Sequence, residues 1–242
     1  MTSRLLVATA LIAATSLPHC MRVTKGIEVD VAYQPEATPA AIRTDMGYRV
    51  RLDRAFIVVG RVELVRCDNF VLDLWNLVAP SRASAHELTS PTSLGVPLVL
   101  DLMERAGTPQ LAGTLRPPPG SYCSIRITGM PADEDAEGLH EQNLEMMNHT
   151  VLVTGQVEDT TNGEVAPLLA GIWEVLDCEM ALGRPLELGS PTLERVAIQI
   201  DHTHWFDGID FALQDSNAVQ QQITENVRSS LRAVLPYAED AR

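Results

Sequence analysis

Positive charge is scarce in this chain. Only 18 Lys and Arg stand against 32 Asp and Glu, a formal net charge of −14 over 242 residues. A surface this acidic repels phosphate backbones and anionic headgroups, which excludes nucleic acid as a partner and a membrane held by charge alone. Signatures of catalysis are missing too. There is no G-x-S-x-G elbow, no H-E-x-x-H pair and no Walker-type phosphate loop. The acid after His202-Thr203-His204 falls at Asp207, one place late for the H-x-H-x-D of metallohydrolases. The chain reads as non-enzymatic. No C-x-x-C spacing occurs, which argues against a zinc ribbon or a thioredoxin-type redox site. Beyond the N-terminus no apolar run approaches the roughly 20 residues of a spanning helix.

What is present begins with Met1 to Cys20. Arg4 precedes an apolar stretch from Leu5 to Leu17, too short to cross a bilayer, which is the build of an export signal. Residues 1–19 are read as a signal peptide, and two cuts fit. Leu17-Pro18-His19-Cys20 resembles the lipobox of bacterial lipoproteins, where the cysteine becomes the lipidated first residue. Leu17 fits that pattern, whereas His19 departs from the small residue usual before the cysteine. Cleavage after Ala14-Thr15-Ser16 is the alternative. Lipidation of Cys20 leaves Cys67, Cys123 and Cys178, hence one disulfide and one free thiol. The other cut leaves four cysteines and three pairings. Cys67 closes one strand-like run and Cys123 opens another, so these two are the expected pair. Either cut makes the mature chain more acidic, because the segment removed contains Arg4 and no acid.

Residues 20–47 hold one alternating run, Ile27-Glu28-Val29-Asp30-Val31, then a Pro- and Ala-containing linker. From 48 to 236 the pattern is β almost throughout. Tyr48, Val50 and Leu52 alternate, Phe56 to Val59 run apolar, and Val62 to Val65 lead to Cys67. Residues 79–95 are a long polar loop. Leu98, Leu100 and Leu102 alternate again, as do Val151, Val153 and Val157. Asn162-Gly163 between apolar runs signals a hairpin. Val196, Ile198 and Ile200 mark a further strand. Residues 131–149 interrupt this with an acidic loop or short helix. Asp133, Glu134, Asp135 and Glu137 there lack EF-hand spacing, so a solvated loop is the reading. Val58 to Glu63 resembles Val153 to Glu158, a faint internal repeat that would give two related β units. At the C-terminus Val219, Ile223, Val227, Leu231 and Val234 follow helical spacing, with Asp215 or Ser216 as cap and Pro236 as stop. Residues 237–242 are a tail. The expected architecture is an antiparallel β-sandwich, one large unit or two small ones, with a C-terminal amphipathic helix.

The segment Leu115 to Ile125 (LRPPPGSYCSI) resembles the turn-and-strand entry of transthyretin-like and prealbumin-like sandwich domains, including those of bacterial secreted lipoproteins. That resemblance implies the fold class and little about activity.

Chemically, Asp201-His202-Thr203-His204-Trp205-Phe206-Asp207 stands out. Two histidines at i and i+2 on a strand point to one side, so both imidazoles could reach one metal ion. His86 in the polar loop, or Met146, Met147 or His149, could complete the set. Imidazole with thioether favours copper. The stretch is distantly similar to methanobactin-associated periplasmic copper-binding proteins. Two functions therefore compete: a non-catalytic envelope module that binds a protein or polymer partner, and a copper binder using His86, His202 and His204.

Overall fold

A computed structural model describes residues 26–67, 90–95, 97–104, 106–213 and 215–235. The signal segment with Cys20, residues 79–89 of the polar loop with His86, and the tail 237–242 lie outside the described residues. The chain is mainly β, with one α-helix near the C-terminus. Its strands are β1 (Ile27–Pro35), β2 (Ile42–Arg43), β3 (Tyr48–Arg66), β4 (Ser93–Leu94), β5 (Leu98–Asp101), β6 (Gln110–Leu115), β7 (Gly120–Gly129), β8 (Val151–Asp159), β9 (Val165–Ile172), β10 (Leu176–Leu188), β11 (Thr192–Ile200) and β12 (Leu231–Val234), with α1 over Ser216–Ser230.

The smaller sheet runs β12-β11-β1-β6. The expected all-antiparallel pattern fails at its centre, where β1 and β11 pair in parallel over nine residues. These strands lie far apart in sequence, so no hairpin dictates their direction. The larger sheet is organised by β3, whose 19 residues merge three runs that look separate in the sequence. β8 pairs with Tyr48–Ile57 and β7 with Val59–Arg66. β5 overlaps both of them in register, at Phe56–Val59, and so takes the opposite edge of β3. Hence β7 and β8 follow one another along a single edge, interrupted by the excursion 130–150. Outside them β10 and β9 also follow one another, interrupted only at 173–175.

Alternation along these strands sends one set of side chains into a shared apolar cluster fed by both sheets. Val29, Val31, Ile198 and Ile200 come from the smaller sheet, and Ile57, Ile125, Val151 and Val153 from the larger. The Phe56–Val59 run serves two faces. Ile57 and Val59 enter this cluster, while Phe56 and Val58 enter a second one beneath the excursion, with Ala132, Ala136 and Met146.

Local signals account for several junctions. Gly163 adopts φ +74° in the turn between β8 and β9, a conformation that suits Gly in Asn-Gly hairpins. Cys67 and Cys123 form a disulfide across β3 and β7. Cys178 is a buried free thiol whose pKa burial pushes up. In the Pro-Pro-Gly segment, Tyr122 is fully buried and its hydroxyl donates to the Pro118 carbonyl at 2.9 Å, folding the turn onto its own strand. The two repeat-like segments occupy neighbouring strands of one sheet, β3 and β8. The helix starts as expected, with the Asp215 side chain accepting from the Ala218 amide at 2.9 Å. Its end differs. Leu231 to Val234, which keep helical spacing, leave the helix and pair antiparallel with Ala197–Ile200 as β12. The open edge of β11 takes these residues in place of one more helical turn, pairing the backbone groups that face it and burying Leu231.

Candidate functional site

β11 ends at Ile200, and the next residues form a single 3₁₀ turn, His202–His204, instead of extending the strand. Asp201 causes this: its carboxylate accepts from the Thr203 amide at 3.1 Å and the Thr203 hydroxyl at 2.5 Å. The strand-based expectation for the two histidines is thereby corrected. With about three residues per turn instead of two, His202 and His204 diverge. His202 is completely buried, its Nε2 2.8 Å from the Thr38 hydroxyl and its ring edge-on to Trp205. Desolvation pushes its pKa down against the opposing pull of Asp201. His204 faces water, with Nδ1 2.7 Å from an Asp207 carboxylate oxygen and Nε2 3.5 Å from Asp201. The Asp207 hydrogen bond pushes its pKa up.

The rest of the segment anchors the corner. Trp205 and Phe206 are fully buried, and the Trp205 indole N–H donates to the Ser230 hydroxyl at 2.9 Å. Asn226 donates to the carbonyls of Trp205 and Asp207 at 3.0 and 2.8 Å, tying the turn to α1. Among the described residues no group of three or more His, Cys, Asp or Glu could hold a metal ion. The further candidates do not join the histidines either. Met146 is fully buried in the second apolar cluster, and His149 stacks edge-on with Trp173 at 5.5 Å. His86 lies outside the described residues. The copper reading thus loses the same-face geometry on which it rested.

A different place has the features of a binding site. At 173–175, where β9 gives way to β10, Trp173 stands 57% exposed. It continues the outward row of β9, in which Val165 and Leu169 are 56% and 74% exposed. Row and seam are held from below. Buried Thr150 donates its hydroxyl to the Glu174 carbonyl at 2.8 Å and its amide to the Ile172 carbonyl at 2.6 Å. Gly171 gives the aromatic groups room. A Cβ there would lie 2.7 Å from His149 Cδ2 and 3.1 Å from Trp173 Cζ3, closer than packed atoms tolerate.

Two hollows flank the indole. One, of about 520 Å³, separates Gly171–Glu174 from the α1 row Asn217, Gln221, Thr224 and Arg228. The other, of about 470 Å³, is bounded by Leu169, Leu152, Arg54 and Glu145. Gly171, Trp173 and Gln220 line both, so they form one trough with the indole at its middle. Sequence reasoning did not single out Trp173 as a site residue. The available signal was Val165 to Trp173 (VAPLLAGIW), uncharged and apolar on both faces immediately after a hairpin turn.

No protein-family model, curated protein or solved structure matches this chain, so function has to be read from its own residues.

Proposed function

We propose that this chain is a non-catalytic, exported binding module of the cell envelope, a β-sandwich that takes a partner at the Trp173 trough. The observation behind this reading is the exposed row Val165, Leu169 and Trp173, ending in an indole whose surroundings are already fixed. Leaving large apolar groups in water costs about 25 cal/mol per Å² of apolar surface, and contiguous exposure of this kind marks interaction sites. A pre-fixed aromatic also loses little conformational entropy on binding. The Cys67–Cys123 disulfide suits an oxidising compartment. The N-terminal segment supplies the export signal, and Cys20 is the lipid attachment site when the lipobox is cut.

Two measurements test this. The full chain, expressed with its leader in its own host, should yield a mature N-terminus at acylated Cys20 or at Leu17, read by mass spectrometry. An intact Met1 would sink the export half. Purified protein should sediment with isolated cell envelopes, and the Leu169→Ser/Trp173→Ala pair should stay in the supernatant. Equal behaviour of the two proteins would sink the binding half.

A further inference from the structure

The trough has a chemical character that narrows its ligand beyond "partner", and the narrowing rests on the binding-module reading above. The Trp173 indole lines both of its hollows. Carboxamides line them too, Asn217 and Gln221 in one hollow and Gln220 in both, beside Thr224, Glu225 and Arg228. Neither the side chains of Asn217 and Gln220 nor the Trp173 N–H has a hydrogen-bond partner among the described residues. A carboxamide offers two donors and an acceptor within one rigid plane. An indole offers a broad apolar face and one N–H at its edge.

Charge in the trough is largely self-compensated. Arg54 is ion-paired with Glu145, and the Gln221 amide donates to Glu225 at 3.3 Å. Glu174 and Glu225 share the same hollow with Arg228, which leaves that hollow one charge on the acidic side. The site therefore has no net attraction for a strong anion, in a protein whose overall charge repels one.

We infer that the Trp173 trough binds a neutral glycan chain, with one pyranose ring stacked on the indole and its hydroxyls bonded to Asn217, Gln220 and Gln221. A pyranose matches this surface group for group. Its axial C–H bonds give an apolar face, and its equatorial hydroxyls both donate and accept around the rim, as carboxamides do. The hollows on either side of Trp173 accommodate the neighbouring sugars, each being within the 300–1,000 Å³ typical of small-molecule sites. Gly171 belongs to the site as a positioning residue, since it lets His149 brace the indole edge-on. Thr150 fixes the seam that presents it.

Isothermal titration of the purified mature chain with cellohexaose, laminarihexaose and chitohexaose tests the inference. At least one should bind with a dissociation constant between about 10 μM and 1 mM, corresponding to roughly 4–7 kcal/mol. Trp173→Ala should weaken that binding at least tenfold. Trp173→Phe, which keeps an aromatic face, should weaken it less than about fivefold, and Gln220→Ala should weaken it severalfold. Near-UV circular dichroism confirms that each variant is folded. Hexagalacturonate should bind at least tenfold more weakly than the best neutral probe. The inference is overturned if no neutral probe binds, if Trp173→Ala leaves affinity unchanged, or if the anionic probe binds best. Envelope sedimentation that depends on Trp173 while no oligosaccharide binds would assign the trough to a protein partner and leave the binding-module reading standing. Loss of sedimentation itself would remove that reading.

Discussion

Trp205 and Trp173 place the same side chain at opposite extremes, one fully buried and the other 57% exposed. Around Trp205 lie the residues with the most chemistry in the sequence: two histidines, two aspartates and an asparagine. Much of that chemistry is spent inside the fold, while His204, paired with Asp207, faces water. Asp201 shapes a turn, Asn226 holds two carbonyls, and His202 meets Thr38 in the interior. Around Trp173 the sequence is plain, a run of Val, Pro, Leu, Ala and Gly, yet the indole ends in solvent between two hollows. Polar residues near a strand end stitch a corner together when they have partners. An apolar residue becomes a candidate for recognition when the fold denies it one.

The sharpest way to break this contrast is to truncate each tryptophan. Trp205→Ala should cost about 3–5 kcal/mol in urea unfolding, because it opens a cavity where a fully buried indole stood. Trp173→Ala should cost less than about 1 kcal/mol, as exposed substitutions do. Similar losses for the two would erase the distinction between an anchoring and a recognition indole.

A smaller effect is expected at the seam's support. Thr150→Val keeps the volume but removes the hydroxyl that donates to the Glu174 carbonyl, at a cost of about 1–3 kcal/mol. It should also alter the emission assigned to Trp173, obtained by difference against a Thr150→Val/Trp173→Phe pair. Unchanged Trp173 emission would show that the indole is presented without help from Thr150.

The smallest effects concern the two histidines, whose pH dependences have opposite signs. The pKa of His202 lies below its ordinary 6.5 in the folded chain, so the unfolded chain binds the proton more readily. Stability falls as pH drops from 6.5 through that lowered value. The pKa of His204 is raised. Its contribution is complete below 6.5 and is lost as pH rises through the folded value, and it is small because water screens an exposed pair. Urea titrations across pH should therefore show His202→Gln removing an acid-side slope and His204→Gln removing a slope on the alkaline side of 6.5. Slopes of the same sign would contradict the inward and outward placement of the two rings.

Much of the fold was legible because strand alternation depends only on nearest neighbours. β1, β8 and β11 lie where Ile27–Val31, Val151–Val157 and Val196–Ile200 alternate. The Asn162-Gly163 turn and the Asp215 cap were equally local. The Cys67–Cys123 pair, 56 residues apart in sequence, was legible from where one strand-like run ends and another begins. The histidine geometry was misread because one side chain, Asp201, converts extended backbone into a 3₁₀ turn and so changes the period that places the rings. The helix end was misread for a related reason. Leu231 and Val234 satisfy both a helical and a strand pattern, and only the open edge of β11 decides between them.

The amino-acid sequence by itself determined the alternation that builds the strands, the turn and cap positions, and the acidic surface. Each of these follows from a residue and its near neighbours. Tertiary structure alone decided that β1 and β11 run in parallel, that β7 and β8 share one edge of β3, and that Trp173 is left in solvent at the seam their partners create. Pairing direction and exposure are set by which distant backbone edges and apolar faces meet, and a run such as Val165 to Trp173 does not itself record which of its faces will be covered.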